Sequence, residues 1–488
     1  MYLHRHIDAV LLAWTAEEDR KPLVLRGARQ TGKTAAVRRL GEHFDLFLEL
    51  NLERFEDLGL VRSCRSAGEL LTALSARHNL GRFPPRTLLF LDEIQESPEA
   101  VGWLRFFRED HPELFVVAAG SLLEVRLEER GFSFPVGRVT FRVLRPFTFF
   151  EFLGANGRDV LAGHLEDWVR EGRPIPPALH EQALELLRDY LLVGGMPEAV
   201  ARWAAERNPV AVRGVHRDLL QALAEDLQRF GSLREVGYLE AAFENLRHHV
   251  GLRFRYENFA PGYKSQLMKN ALSKLEAALL VHRVLPTSSL ALPLRERTRS
   301  AAKLLPLDVG LALYTFGSGF ETARALTLSQ VLDGRVAEIF VGQQLLASSQ
   351  GFPGDLYFWV SESAHGNAEV DYLVPLAGRP VPVEVKSTAA GSLKSLHQFL
   401  ARAGLSTGVR LHSGLPADER LEVRMPEGTL DYRLLSVPIY LAEKLPRMRN
   451  LDRVPSNPPA VPQGETFPAS NRSEKQLPPG APGSRGSF

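Results

Sequence analysis

One stretch near the start limits the possible folds more than any other: Gly27-Ala28-Arg29-Gln30-Thr31-Gly32-Lys33-Thr34, a G-x-x-x-x-G-K-[ST] pattern. It follows the apolar run KPLVLR (residues 21–26) and opens the helical run TAAVRRL, so a strand must turn sharply into a helix. The glycines let the backbone fold into a nest whose N–H groups point inward at a helix N-terminus, which is a receptor for phosphate oxygens. Read this way, residues 27–34 cradle a nucleotide, Lys33 supplies charge to its β- and γ-phosphates, and the Thr34 hydroxyl can ligate Mg²⁺. The plain alternative is a Gly-rich strand–helix turn; the complete pattern in its expected context argues against it.

Downstream, residues 87–93 (TLLFLDE) form an apolar strand ending in two acids. An unpaired carboxylate at the end of a buried strand is costly, so it stands there for a reason. In a phosphate-loop fold that edge abuts the metal, which makes Asp92 the metal-side acid and places Glu93 to polarise an attacking water as general base. The alternative is a helix cap after a core strand. Residues 114–121 (LFVVAAGS) also end in small and polar groups; Ser121 can orient water or the γ-phosphate, or can cap a helix over residues 122–129. The runs at 21–26, 47–52, 86–91 and 114–119 alternate with helical stretches, the signature of an α/β fold with a parallel sheet covered on both faces.

Length bears on organisation: 488 residues suggest about three domains. The boundaries read as 1–175, an ATPase-type domain; 176–332, mostly helical; 333–447, a second α/β domain; and 448–488, a Pro-, Ser- and Gly-rich tail that cannot bury enough surface to offset its ordering entropy. Fifty-nine Lys+Arg against 58 Asp+Glu argue against a protein that coats nucleic acid by bulk charge. The single cysteine excludes a disulfide framework and a Cys-cluster zinc site and fits a reducing compartment. No run reaches the ~18 apolar residues of a membrane span, and no secretory signal is evident, so the expected address is the cytoplasm.

Together, GARQTGKT, TLLFLDEIQ, AAGSLLE and FPVGRV…LRPFTFFEFL resemble the AAA-type P-loop ATPases of bacteria and archaea. More narrowly they resemble a prokaryotic family that joins such an ATPase to an uncharacterised C-terminal domain. The resemblance continues in LVGGMPE (192–198), KLLPLDVG (303–310), VAEIFV (336–341), EVDYLV (369–374) and VEVKS (383–387), and so covers roughly residues 1–445. It implies an enzyme that hydrolyses ATP with Mg²⁺ to move its C-terminal domains, with oligomers possible. It also implies that Arg138, of the G-R pair, stabilises charge on the γ-phosphoryl in cis or from a neighbouring subunit; a surface or salt-bridged arginine is the alternative. Arg126 and Arg130 are weaker candidates. Asp308 matches closely but receives no role from chemistry alone.

Two further patterns bear on partners. Residues 238–285 read as helix, turn, helix and short strand, a winged-helix-like arrangement whose helix at 264–280 carries Lys264, Lys269 and Lys274; it can enter a DNA groove or simply pack on its own protein. Asp371, Glu384 and Lys386 form D-x₁₂-E-x-K, with Glu338 on the helix upstream. Positions 384 and 386 of a strand share a face, so two carboxylates can hold Mg²⁺ while the lysine stabilises a hydroxide. The order helix–strand–strand–strand–helix–strand resembles the restriction-endonuclease-like superfamily, although V-E-V-K is also a common edge-strand sequence. ATP-gated cleavage of DNA or RNA, and a nucleotide-dependent switch that binds a protein partner, are therefore the competing readings.

Overall fold

Strands β1 (Leu23–Arg26), β2 (Leu46–Asn51), β3 (Thr87–Asp92), β4 (Phe115–Gly120) and β5 (Thr140–Val143) form a parallel sheet in the order β2-β3-β4-β1-β5. The computed structural model describes residues 2–121, 123, 134–135, 137–228, 233–317, 328–348, 355–361, 368–388, 391–426, 428–448 and 451. Strand period two sorts the side chains onto two faces. Leu23, Leu25, Leu88, Phe90 and Val117 pack with Leu11, Val37 and Leu40 of the helices His6–Thr15 and Lys33–Gly41. Val24, Leu89, Leu91 and Val116 pack with Val61, Leu70 and Leu104 of the helices Phe55–Ser63, Ala67–Arg77 and Pro98–Asp110. Each fully buried Leu, Val or Phe is worth roughly 1.5–3 kcal/mol, so these two layers hold the strand ends in place. The four expected strands are β1–β4; β5, a short edge strand, was not foreseen.

Helices Phe149–Ala155, Asp159–Glu171, Pro177–Val193, Pro197–Glu206, Pro209–Leu227 and Leu233–His249 follow. Three of them start on proline at the first helical position, where a missing N–H is harmless and φ is already set. The helix Phe149–Ala155 is started by a reciprocal cap in which Thr148 and Glu151 each accept the other's backbone N–H.

The second sheet is mixed and larger than the sequence suggests. Its strands are β6 (Val281–Thr287), β7 (Lys303–Pro306), β8 (Leu356–Val360), β9 (Glu369–Leu376), β10 (Arg379–Val385), β11 (Thr407–His412), β12 (Ala417–Met425) and β13 (Gly428–Pro438), in the order β12-β13-β11-β10-β9-β8-β6-β7. The expected run of helix (Gly334–Ala347), β8, β9, β10, helix (Lys394–Ala403) and β11 is present. The strand expected as the end of a winged-helix-like unit, β6, instead lies inside this sheet, parallel to β8 and antiparallel to β7. The helix Ser265–Ala277 before it buries Met268, Ala271, Leu272 and Leu275 and leaves Lys264 and Lys269 exposed.

One continuous core, including Phe149, Tyr190, Trp203, Leu304, Phe340 and Tyr440, joins the helical region to this sheet. Residues Met1–Asp452 form one compact unit. The tail read over 448–488 lies outside the described residues except for Met448 and Leu451. Among the described residues no helix is long and apolar enough to cross a membrane.

Candidate nucleotide site and a buried carboxylate cluster

Gly27, Asp92 and Ser121 sit at the C-terminal ends of β1, β3 and β4, the edge where open α/β sheets bind ligands. The loop from β1 turns through Gln30 (φ 61°) and Gly32 (φ 94°), which caps the helix Lys33–Gly41. Gly27 is required by proximity, since a Cβ there would lie 2.6 Å from the Leu144 carbonyl. The Lys33 ammonium donates to the Gly27 and Ala28 carbonyls, both at 3.0 Å, and burial pushes it down to about 8. Thr34 Oγ1 donates to Asp92 Oδ2 at 2.8 Å. Burial raises Asp92 to about 6, outweighing that hydrogen bond. Glu93 takes a left-handed backbone (φ 51°), and its carboxylate accepts from Gln95 Nε2 at 2.5 Å. Ser121 is buried at the end of β4, between β3 and β1.

The sequence-predicted residues 27–34, Asp92, Glu93 and Ser121 are thus on one edge of the sheet. Arg138 is not. It precedes Thr140, which pairs with Leu23 at the start of β1, and its guanidinium is 3.1 Å from Glu109. That places it at the opposite end of β1 from the phosphate loop. Arg126 and Arg130 lie outside the described residues.

Residues that sequence reasoning missed, Arg5, His6, Asp226 and Glu443, tie this loop to the rest of the chain. Arg5 Nη1 donates to the Thr31 carbonyl at 3.3 Å, Nη2 to the Arg145 carbonyl at 2.6 Å, and Nε pairs with Glu151 at 3.1 Å. Arg29, inside the loop, pairs with Asp226 of the helix Pro209–Leu227 and lies 3.6 Å from Glu53. Glu151 also accepts the His6 N–H at 2.6 Å, and the His6 imidazole pairs at 3.0 Å with Glu443, in the 3₁₀ segment Ile439–Arg447. Burial opposes charge on His6 and Glu443, yet their mutual bond wins: His6 is raised and Glu443 falls to about 2. Asp308 has a structural place. It accepts the Gly195 N–H at 2.6 Å and caps the helix Val309–Thr315 through Leu311 N–H at 3.0 Å. Gly194 (φ 74°) must be glycine there, because a Cβ would fall 2.1 Å from Asp308 Oδ1.

In the second sheet, β9 and β10 meet through a two-residue turn, Ala377-Gly378, both at positive φ, the geometry that tight hairpins require. The register pairs Tyr372 with Val383, so Glu384 comes opposite Asp371 one step further on. Asp371 Oδ2 accepts the Val385 N–H at 2.8 Å, and Lys386 Nζ lies 2.8 Å from Glu384 Oε1. Glu338 joins them from the helix Gly334–Ala347. All four predicted residues therefore converge.

Two partners were missed. Glu369 lies two positions before Asp371 and therefore on its face of the strand, a signal present in the sequence. Lys303 of β7 reaches in from outside, 2.6 Å from Glu338, in contact with Glu369 and 3.8 Å from Asp371. Burial, then the neighbouring Asp371 charge, raises Glu338 and Glu384 to about 7. Burial alone would lower Lys303; the charges of Glu338, Asp371 and Glu369 hold it above its ordinary range instead.

Residues 19–153 match the AAA domain family, 184–322 a domain of unknown function (DUF8612) and 333–425 another (DUF4143). No curated protein matches the chain. Similar solved structures include a Walker-type ATPase of Pyrococcus abyssi, 15% identical over 64% of this chain and 96% of that one, with a TM-score of 0.40. PCH-2 of C. elegans is 11% identical over 44% and 66%, with a TM-score of 0.25. A Signal Transduction ATPase with Numerous Domains (STAND) protein with a tetratricopeptide repeat sensor, from Pyrococcus horikoshii, is 13% identical over 72% and 48%, with a TM-score of 0.25. The AAA match coincides with the parallel sheet and its phosphate loop, which supports an ATP-binding, AAA-type P-loop ATPase.

Proposed function

We propose that this chain hydrolyses ATP with Mg²⁺ at the C-terminal edge of the first sheet. The ion pairs leaving the phosphate loop then carry nucleotide state to the helical region and the second sheet. The observation that carries this reading is the 2.8 Å contact between Thr34 and Asp92 beside the buried Lys33. It brings the motif's hydroxyl and the strand-end acid to one point. The residues fit the ligand. Lys33 has carbonyl dipoles as partners, and both it and Asp92 are pushed toward neutrality by burial, so the site gains most from a polyanion and a cation arriving together.

When bound, Mg²⁺ supplies positive charge to the β- and γ-phosphate oxygens. The chain's own residues do the rest. Backbone N–H groups of residues 27–34 and the Lys33 ammonium bind phosphate, and Thr34 and Asp92 hold the metal. Glu93, tethered by Gln95, takes the proton of the attacking water, and Ser121 offers a hydroxyl to the same edge. Arg138, at the far end of β1, reaches such a site only from a second copy of the chain.

Lys33→Ala should abolish nucleotide binding, measured by equilibrium titration. Glu93→Gln should keep binding and slow turnover by about 10²–10⁴-fold. Undiminished turnover in Glu93→Gln removes Glu93 as the base.

The convergence of Asp371, Glu384 and Lys386 favours one second reading, an ATP-gated nuclease. Labelled DNA and RNA incubated with Mg²⁺ and ATP test it; cleavage that persists in Lys386→Ala points to another site or to contamination.

A further inference from the structure

The carboxylates of Glu338, Glu369 and Asp371 each place an oxygen within 4.8 Å of the others, the spacing of ligands around one ion. The Lys303 ammonium stands among them, and its side chain is only 6% exposed. An ammonium offers three N–H donors on a compact charge, and here three carboxylates face it. Two more cations complete the arrangement: Arg253 pairs with Glu369, and Lys386 with Glu384. Arg253 and Lys303 are themselves bridged backbone to backbone.

We propose that Lys303 is the resident cation of this cluster: its ammonium holds the position of a divalent ion, so the intact chain supplies the main counter-charge itself and binds no divalent metal tightly there. A metal can enter only by displacing the buried Lys303 from its ion pairs with the partly buried Glu338 and Glu369, and separating such pairs is unfavourable. A second feature shows that the acids form a latent ligand set. Glu384 is buried, and among the described residues its Oε2 has no hydrogen-bond partner, although Glu338 and Asp371 are close enough to act on its charge. The cluster thus keeps an acceptor that Lys303 does not fill. The lysine and Arg253 come from within residues 184–322, whereas the four acids lie within 333–425. The lock therefore exists only when these two parts of the chain pack together. It does not rest on the ATPase reading, and it opposes the nuclease reading, which needs a divalent ion at these same acids.

The test uses the full chain, metal-stripped and free of nucleotide, titrated with Mn²⁺ while the free ion is followed by electron paramagnetic resonance. Any Mn²⁺ at the phosphate-loop edge is common to all variants and cancels in the comparison. Lys303→Met and Lys303→Gln should each gain about one Mn²⁺ per chain over the unsubstituted protein, bound at least about tenfold more tightly, as removal of a nearby positive charge requires. Adding Asp371→Asn to Lys303→Met should remove the gained ion. The proposal is overturned if the unsubstituted protein already holds an Mn²⁺ that Asp371→Asn releases. It is also overturned if the Lys303 variants, with unchanged near-ultraviolet circular dichroism, gain none. Should both variants unfold without metal, recovery of the fold on adding Mn²⁺ supports the proposal, and failure to recover overturns it.

Discussion

The two charged sites meet the same electrostatic problem, carboxylates raised by burial, with different amounts of counter-charge. At the phosphate loop, Lys33 and Asp92 are buried without full compensation, and each is pushed toward its neutral form. In the second sheet, four acids are met by Lys303, Lys386 and Arg253; the lysines are held charged above their ordinary range, although burial still raises Glu338 and Glu384 to about 7. The first arrangement is unfavourable until a ligand arrives. In the second, the chain supplies most of the counter-charge itself. Burial alone thus says little about ligand binding; what matters is whether the chain supplies its own counter-charges.

The comparison breaks most sharply on Lys303. Removing one partner of a compensated buried cluster leaves uncompensated charge, so Lys303→Met should lower the unfolding free energy in metal-free buffer by about 3–5 kcal/mol, read by chemical denaturation. An unchanged value would mean that the cluster is not held by this ion pair.

At the phosphate loop the sign should reverse. Asp92 sits at about 6 in the folded chain against an ordinary 3.8, so the folded state binds the extra proton. Its burial therefore opposes folding increasingly as pH rises from about 4 to 6, and the penalty is complete above that window. Asp92→Asn should raise the stability of the nucleotide-free protein at pH 7 by on the order of 1–3 kcal/mol and flatten that pH dependence, while ATP turnover is lost. A destabilised Asp92→Asn protein would contradict the contrast.

A smaller effect is expected at the tether. Asp226→Asn, which weakens the pair with the partly exposed Arg29, should lower stability by about 1 kcal/mol. If the tether carries nucleotide state, hydrogen exchange in the helix Pro209–Leu227 should also lose its response to ATP.

The smallest concerns His6, whose side chain is 43% exposed. Its value is raised above 6.5 by Glu443, so its contribution is fully present below pH 6.5 and fades as pH rises through the raised value. His6→Ala should lower Tm more at pH 6 than at pH 8.5; an equal loss at both would assign His6 to packing instead.

Much of the nucleotide site was legible because its residues are contiguous or end adjacent apolar strands. Residues 27–34 carry their own turn geometry, and Asp92 and Glu93 end a strand whose burial is plain from TLLFL. That Asp371, Glu384 and Lys386 belong together was likewise legible from the D-x₁₂-E-x-K pattern, while the two-residue turn that sets the register of β9 on β10 emerged from the structure. Glu369 could have been added from its period-two spacing to Asp371. The short edge strand β5 carries too few apolar residues to stand out, and β6 gave no sign of which sheet it would join.

What the sequence determined by itself is therefore local: the phosphate loop, the strand-end acids, the α/β alternation and the shared strand face of Glu384 and Lys386. These follow from backbone dihedrals and short periodicities, which act over a few residues. Only the tertiary structure decided that Arg138 lies away from the loop, that Arg5 and Asp226 hold it, and that Lys303 stands inside the acidic cluster. Each depends on which strands and helices become neighbours after long connections. Charge attracts across space without regard to chain order, so its partners are set by packing and leave no periodic mark in the sequence.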